Sequence, residues 1–479
     1  MVSSRVRRAA AVDPSAREPA GGGKWAWVAL AVACAGQFLV VLDVSVVNVA
    51  LPSMRADLGL SALGLQWVLN AYSIAFAGFM LLGGRAADIF GYKRMFLVGL
   101  GLFTAASLAG GLAQEGWQLL GARAVQGLGA AVLAPASLTI VTATAEPGPA
   151  RTRAIGTWSA VGAGGGAAGG LVGGLLTDLL SWRWVLLINV PVGAVVLVAA
   201  VLFVRESRAH HGRRLDLRGA VLATAGLAAV AYGIVQTEQA GWTAPETLLP
   251  LFAGAAVLGI FVLVEARAAQ PLMPLKVFRS RVVAGANAAM VVTGSASFAM
   301  WFFMTVYAQN VLGYTPLAAG VALIPSSAAI VIGSKLAPRL MHRTGARDLA
   351  VAGALISGAG FAWQSTMDAH GSYLADILGP GVLMMAGMGL IITPLAALAT
   401  AGAAPGDAGL VSGLVNTSRT MGGALGLAVL STVAAARTGH STAPEALTAG
   451  YAMAFRTGAG VLLGSALLML LWLPRRTEG

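Results

Sequence analysis

The chain has 479 residues, of which 57% are hydrophobic and only 10% charged, with a mean hydropathy of +0.78 and a net charge of +12. Soluble domains carry about 25% charged residues, which excludes a soluble globular protein, and the period-two alternation of a membrane β-barrel is absent. What remains is an all-α polytopic membrane protein, because apolar runs of about 20 residues, enough to cross a bilayer, recur to the C-terminus.

Residues 1–24 are polar and rich in Arg, Pro and Gly, and read as a disordered cytoplasmic tail. No small-residue cleavage site follows a short apolar core, so 25–51 reads as a retained first span rather than a signal peptide. The apolar pattern predicts fourteen spans, at 25–51, 64–84, 95–113, 117–142, 154–177, 184–204, 219–237, 247–265, 282–308, 316–334, 349–366, 375–401, 409–436 and 449–473. Lys and Arg cluster in alternate loops, leaving only Arg55, Arg183 and Arg437 for the other side. By the positive-inside rule both termini are cytoplasmic. Nucleic acid is therefore not the expected partner of the positive charge; the lipid bilayer is.

The turn 83–94, GGRAADIFGYKR, has a weak echo at 337–347, APRLMHRTGAR, with Gly345 on Gly91 and His342 where Asp88 stands. This predicts two six-helix halves, 25–204 and 282–473. Between them, 205–281 holds cytoplasmic linkers and two extra helices, and a short cytoplasmic tail, 474–479, follows. Such repeats mark secondary transporters, whose substrate site lies between the halves near the midplane.

Along this frame a few residues stand out chemically. Asp43 is the lone carboxylate of the first span, in LDVSVVNVALPSM, where a charge costs roughly 2.5–3.5 kcal/mol on insertion scales. Arg123, in LGARAVQGLGAA of the fourth span, lies at the same depth, roughly 9–12 Å below the outer end. The two are expected to pair, against the alternative that Arg123 snorkels or bonds to carbonyls. In the turn after span two, Gly84 and Gly91 suit a helix end and a tight loop. Asp88 is placed there either to cap the next helix or to pair with Arg94, Lys93 and Arg94 otherwise being a solvated basic loop.

Span five carries a glycine stripe, with Gly162, Gly166, Gly170 and Gly174 at every fourth position beside Gly165, Gly169 and Gly173. It implies close helix approach, either static or sliding. Span thirteen, SGLVNTSRTMGGALG, holds Asn416 and Arg419. With Asn48, Gln126 and the Met300–Tyr307 stretch these are candidates for lining a pathway, although a stretch such as Met300–Tyr307 is more often core or lipid-facing. The single cysteine, Cys34, forms no internal disulfide. No catalytic constellation, metal-ligand spacing or phosphate-binding loop is found, so neither an enzyme, a cofactor nor a metal is expected.

Taken together, these residues resemble the major facilitator superfamily, and within it the fourteen-span drug:proton antiporter branch of the EmrB/QacA type. The likeness covers about 25–473. It rests on LDVSVVNVALP, the 84–94 turn, Arg123 with Gln126 and Gly127, SWRWVLLINVPVG (181–193) and Ser412–Gly426. Where the family has Gly-Pro in span five, this chain has Gly169-Gly170. The resemblance implies a plasma-membrane exporter of hydrophobic, often cationic drugs or antibiotics, working by alternating access and driven by the proton gradient. It would act on amphipathic small molecules, as a monomer, with Asp43 and Arg123 handling proton or cation. A dedicated exporter of one metabolite or lipid, and a non-transporting sensor or assembly protein, remain as alternatives.

Overall fold

A computed structural model describes residues 23–145, 149–206, 216–268, 271, 275–401, 408–439 and 441–474. The two tails, most of the 205–216 linker and part of the 268–275 linker lie outside the described residues. The first half comprises α1 (Gly23–Leu58), α2 (Ala62–Phe90), α3 (Tyr92–Gly111), α4 (Gly116–Thr144), α5 (Pro149–Leu179), α6 (Trp184–Leu187) and α7 (Asn189–Phe203). The inserted pair is α8 (Leu217–Ala240) and α9 (Pro245–Arg267). The second half comprises α10 (Arg281–Asn310), α11 (Pro316–Ala322), α12 (Ile324–Thr344), α13 (Ala346–Gln364), α14 (Gly379–Ala401), α15 (Ala408–Thr438) and α16 (Pro444–Trp472).

Among the described residues, 11 helical segments are long and apolar enough to cross a membrane. The remaining long helices, α2, α5 and α13, stand among them, an arrangement compatible with the expected fourteen. Two expected spans are each broken in two. The N–H that Pro191 lacks would have met the carbonyl of Leu187, and the chain breaks into α6 and α7 there; Pro325 breaks α11 from α12 in the same way. A turn of π-helix, Leu374–Leu378, opens α14. Side chains of Ser61, Asp216, Ser280 and Thr315 accept backbone N–H groups at the starts of α2, α8, α10 and α11.

Lys93 and Arg94 after α2, Arg205 after α7, and Arg339, Arg343 and Arg347 where α12 passes into α13 lie toward one end of the bundle and make it basic. At the opposite end the halves are pinned together. Gln309 Nε2 donates to the Val49 carbonyl at 2.8 Å, and the Leu317 N–H donates to Asp178 Oδ2 at 3.1 Å. Gly170 and Gly320 bring α5 and α11 into backbone contact. One buried cluster runs through both halves at this level, from Val46–Met54, Leu65–Leu69 and Trp182–Leu186 into α10, α13, α14 and α16. A second core, around Phe96, Phe103, Leu133 and Ile140, belongs to the first half alone. Nearer mid-depth, α2 and α15 meet through Ile74 and Ala424, with α8 covering the seam.

Candidate functional site

Asp43 sits at the centre of a polar network within apolar helices. Its side chain is 0% exposed and that of Arg123 1%. Arg123 Nη1 donates to Asp43 Oδ2 at 2.5 Å and to Gln126 Oε1 at 2.6 Å, while its Nε reaches the Val68 carbonyl at 3.1 Å. The guanidinium also lies over the Tyr72 ring, 4.4 Å from the centroid. The other carboxylate oxygen accepts from Gln126 Nε2 at 2.6 Å and from Asn189 Nδ2 at 3.0 Å. Gln126 Nε2 donates further to Ser107 Oγ at 2.8 Å, and that hydroxyl donates to the Phe103 carbonyl.

Four helices, α1, α3, α4 and α7, deliver the members, each for a local reason. Arg123 and Gln126 are one turn apart on α4 and share a face. Asn189 is the first residue of α7, released by the break before Pro191 so that its amide turns inward. Ser107 satisfies its hydroxyl on its own helix, which removes the cost of burying it. Two opposite charges and three neutral polar groups are thereby desolvated together. Such a pair is stable only while each oxygen keeps its donors.

The remaining candidates fall in several places. Asn48 bonds its own helix, Nδ2 to the Val44 carbonyl at 2.8 Å, and its Oδ1 has no partner among the described residues. Gly84 rests against Pro135, and Gly91 joins α2 to α3 at φ 103°, a left-handed conformation suited to glycine. The side chain of Asp88 lies outside the described residues. Among the described residues, Arg94 meets Glu206, beyond α7. Glu206 accepts the Lys93 and Arg94 N–H groups at 3.1 and 3.2 Å, with Arg94 Nε at 3.6 Å, and Lys93 Nζ donates to the Val201 carbonyl. Glu206 thus ties the start of α3 to the segment beyond α7, because the first free N–H groups of α3 point that way.

The glycine stripe serves two partners rather than one. Gly162, Gly165, Gly166, Gly169 and Gly173 lie on α1, where Ser45 Oγ donates to the Gly166 carbonyl at 2.8 Å, whereas Gly170 and Gly174 lie on α11. Met300 and Tyr307 are each 0% exposed, packed in the second half's core with Phe303, Phe361 and Phe455, and Tyr307 Oη donates to the Asp368 carbonyl at 2.6 Å. With α14, α15 and α16 packed around α10, both residues take the core placement that was the alternative to a pathway role. Asn416 is exposed and Arg419 half-buried on α15. Sequence reasoning missed Asn189, Ser107 and Glu206. An amide beside Pro191 in an otherwise apolar run was the available signal for the first.

Two helical bundles joined at one end, the first holding a buried acid–base network, define a polytopic membrane protein of the transporter type. The chain belongs to the Major Facilitator Superfamily, whose family model matches residues 33–427. It is 48% identical over 447 residues to the cephamycin export protein CmcT of Amycolatopsis lactamdurans, covering 92% of each chain. It is 42% identical to the puromycin resistance protein pur8 of Streptomyces alboniger, covering 94% of this chain and 92% of that one. The lincomycin resistance protein of Streptomyces lincolnensis is 32% identical, at 89% and 87% coverage. Among solved structures, a bacterial homologue of the human lysosomal transporter Spinster, in an inward-facing unoccupied conformation, has a TM-score of 0.69 at 17% identity, covering 96% of this chain and all of that one. A POT family transporter in complex with a thioalcohol-conjugated peptide has a TM-score of 0.71 at 14% identity, with 94% and 96% covered. At such identities the structural likeness shows the fold.

Proposed function

We propose that the protein is a proton-coupled exporter of hydrophobic small molecules of the antibiotic or drug type, resident in the plasma membrane with its basic end and both termini in the cytoplasm. The observation that carries the coupling is the sealed Asp43–Arg123–Gln126–Asn189 network. The pinned end faces outward, so the present arrangement is the one loaded from the cytoplasm. Opening at the far end lets a proton reach Asp43, which frees Arg123 and lets the helices carrying the network shift. Closing that end and returning the proton to the cytoplasm restores the pair. Asp43 and Arg123 are the working groups, and Gln126, Asn189 and Ser107 position them. The reading needs no enzymatic chemistry, cofactor or metal.

One proton crossing 100 mV supplies about 2.3 kcal/mol, enough for roughly a fifty-fold gradient of a neutral substrate at 1.4 kcal/mol per tenfold. The test is substrate efflux and proton influx in proteoliposomes with an imposed proton gradient. Wild type should move both together, and correctly folded Asp43→Asn should lose gradient-driven efflux. Efflux by Asp43→Asn at the wild-type rate would refute the coupling.

A further inference from the structure

The charges at mid-depth do not cancel, and the surplus lies on the second half. Asp43 is the carboxylate that the described residues place in the middle of the bundle, and Arg123 neutralises it. Arg419 has no such partner: no described residue accepts a hydrogen bond from its guanidinium. Its carbonyl lies against Gly294, near the middle of the 30-residue α10, which fixes its depth in the bundle. It is half-buried rather than sealed, with exposed Asn416 one turn nearer the basic end. Thr417, two residues away, touches Met80 of the first half, Oγ1 to Sδ at 4.0 Å, so this part of α15 borders the junction of the halves. A guanidinium at that depth is too costly to leave in lipid, so the surface it exposes belongs to a water-filled cleft between the halves.

The second half carries another cation without a described partner. Lys335 is exposed on α12, nine residues before its end at Thr344, and no described residue pairs with it. Low-dielectric walls strengthen the field of such charges and raise the local concentration of anions. A guanidinium offers two parallel donors that match a carboxylate, which Lys335 cannot do.

We propose that Arg419 is the anion-recognition residue of the transport cleft, and that the exported substrate is an amphipathic organic carboxylate. This rests on the export reading above and narrows its substrate class. Lys335 adds long-range attraction without direct contact.

The test uses the detergent-purified full chain with two fluorescent probes sharing one skeleton, dansyl-phenylalanine and its uncharged amide, with ethidium as a cation. Wild type should bind the acid about tenfold more tightly than the amide, and added salt should weaken only the acid. Arg419→Gln should erase the preference while leaving amide affinity unchanged. Arg419→Lys should keep part of it, and Lys335→Gln should lower acid affinity two- to threefold, a shift that salt also produces. Equal binding of acid and amide by wild type, no binding of the acid, tighter binding of ethidium, or a preference surviving Arg419→Gln would each overturn the proposal. The salt dependence of wild type decides the matter even if Arg419→Gln fails to fold. Proteoliposome efflux of ethidium or amide without acid preference would sink the anion assignment and leave export standing; absence of all gradient-driven efflux would sink export itself.

Discussion

Removing either side of the Asp43–Arg123 pair should have unequal consequences. Arg123→Ala strands a carboxylate at 0% exposure and should cost about 3–5 kcal/mol, read as loss of monodisperse protein and a lowered Tm. Arg123→Lys keeps the charge but cannot reach Asp43, Gln126 and Val68 together, and should give folded protein with efflux at least tenfold slower. Asn189→Ala removes a donor to a charged acceptor and should cost about 1.5–3 kcal/mol. Combined with Ser107→Ala it should be non-additive, because Gln126 and Asn189 share that hydroxyl. Additive losses in thermal unfolding would show that the network does not act as a unit. Asp43 and Arg123 were legible in the sequence because a charge inside an apolar run has few explanations. Asn189 and Ser107 were not, since lone small polar residues are common in spans and Asn189 meets Asp43 across 146 positions of sequence.

At the scale of elements, α5 is held by backbone rather than side chains. A Cβ on Gly320 would meet the Gly170 carbonyl, and one on Gly174 would lie 2.5 Å from the Leu317 Cα. Gly320→Leu should therefore wedge the pinned end apart, raising thiol labelling of a reporter cysteine at position 48 several-fold while leaving α1–α5 packing intact. The turn between α2 and α3 has the opposite character. Gly91→Ala forces a side chain into a left-handed conformation and against Glu206, and should lower stability by about 1–3 kcal/mol. Spacing was enough to reveal the glycine stripe, but not that it divides between α1 and α11. Periodicity reports a face, and a face as broad as this can hold two neighbours. The breaks at Pro191 and Pro325 were likewise hidden, because proline in a first turn is compatible with an unbroken helix.

On the scale of the whole molecule, the halves are pinned at one end, through Val49 with Gln309 and Asp178 with Leu317. A short thiol cross-linker between cysteines at 49 and 309 should arrest transport, and cleavage of the linker should restore it. Cys34 is buried, so replacing it by Ala gives a clean background for this measurement. The all-helical class and the two-half plan followed from composition, loop charge and the repeated turn. Which end is joined could not, because closure depends on contacts between distant helices and leaves no periodic trace in either.

The neutrality of the Asp43–Arg123 pair has an electrical meaning. A carrier whose central pair sums to zero gains one unit of charge for each proton it takes up. An uncharged cargo then makes each cycle a current of one charge, whereas a carboxylate leaving as a proton enters makes it two. At 100 mV two charges correspond to about 4.6 kcal/mol, a concentration ratio on the order of a thousandfold. Clamping the voltage across proteoliposomes to zero should then slow efflux of the acid more than that of the amide. The reversal potential would count the charges directly.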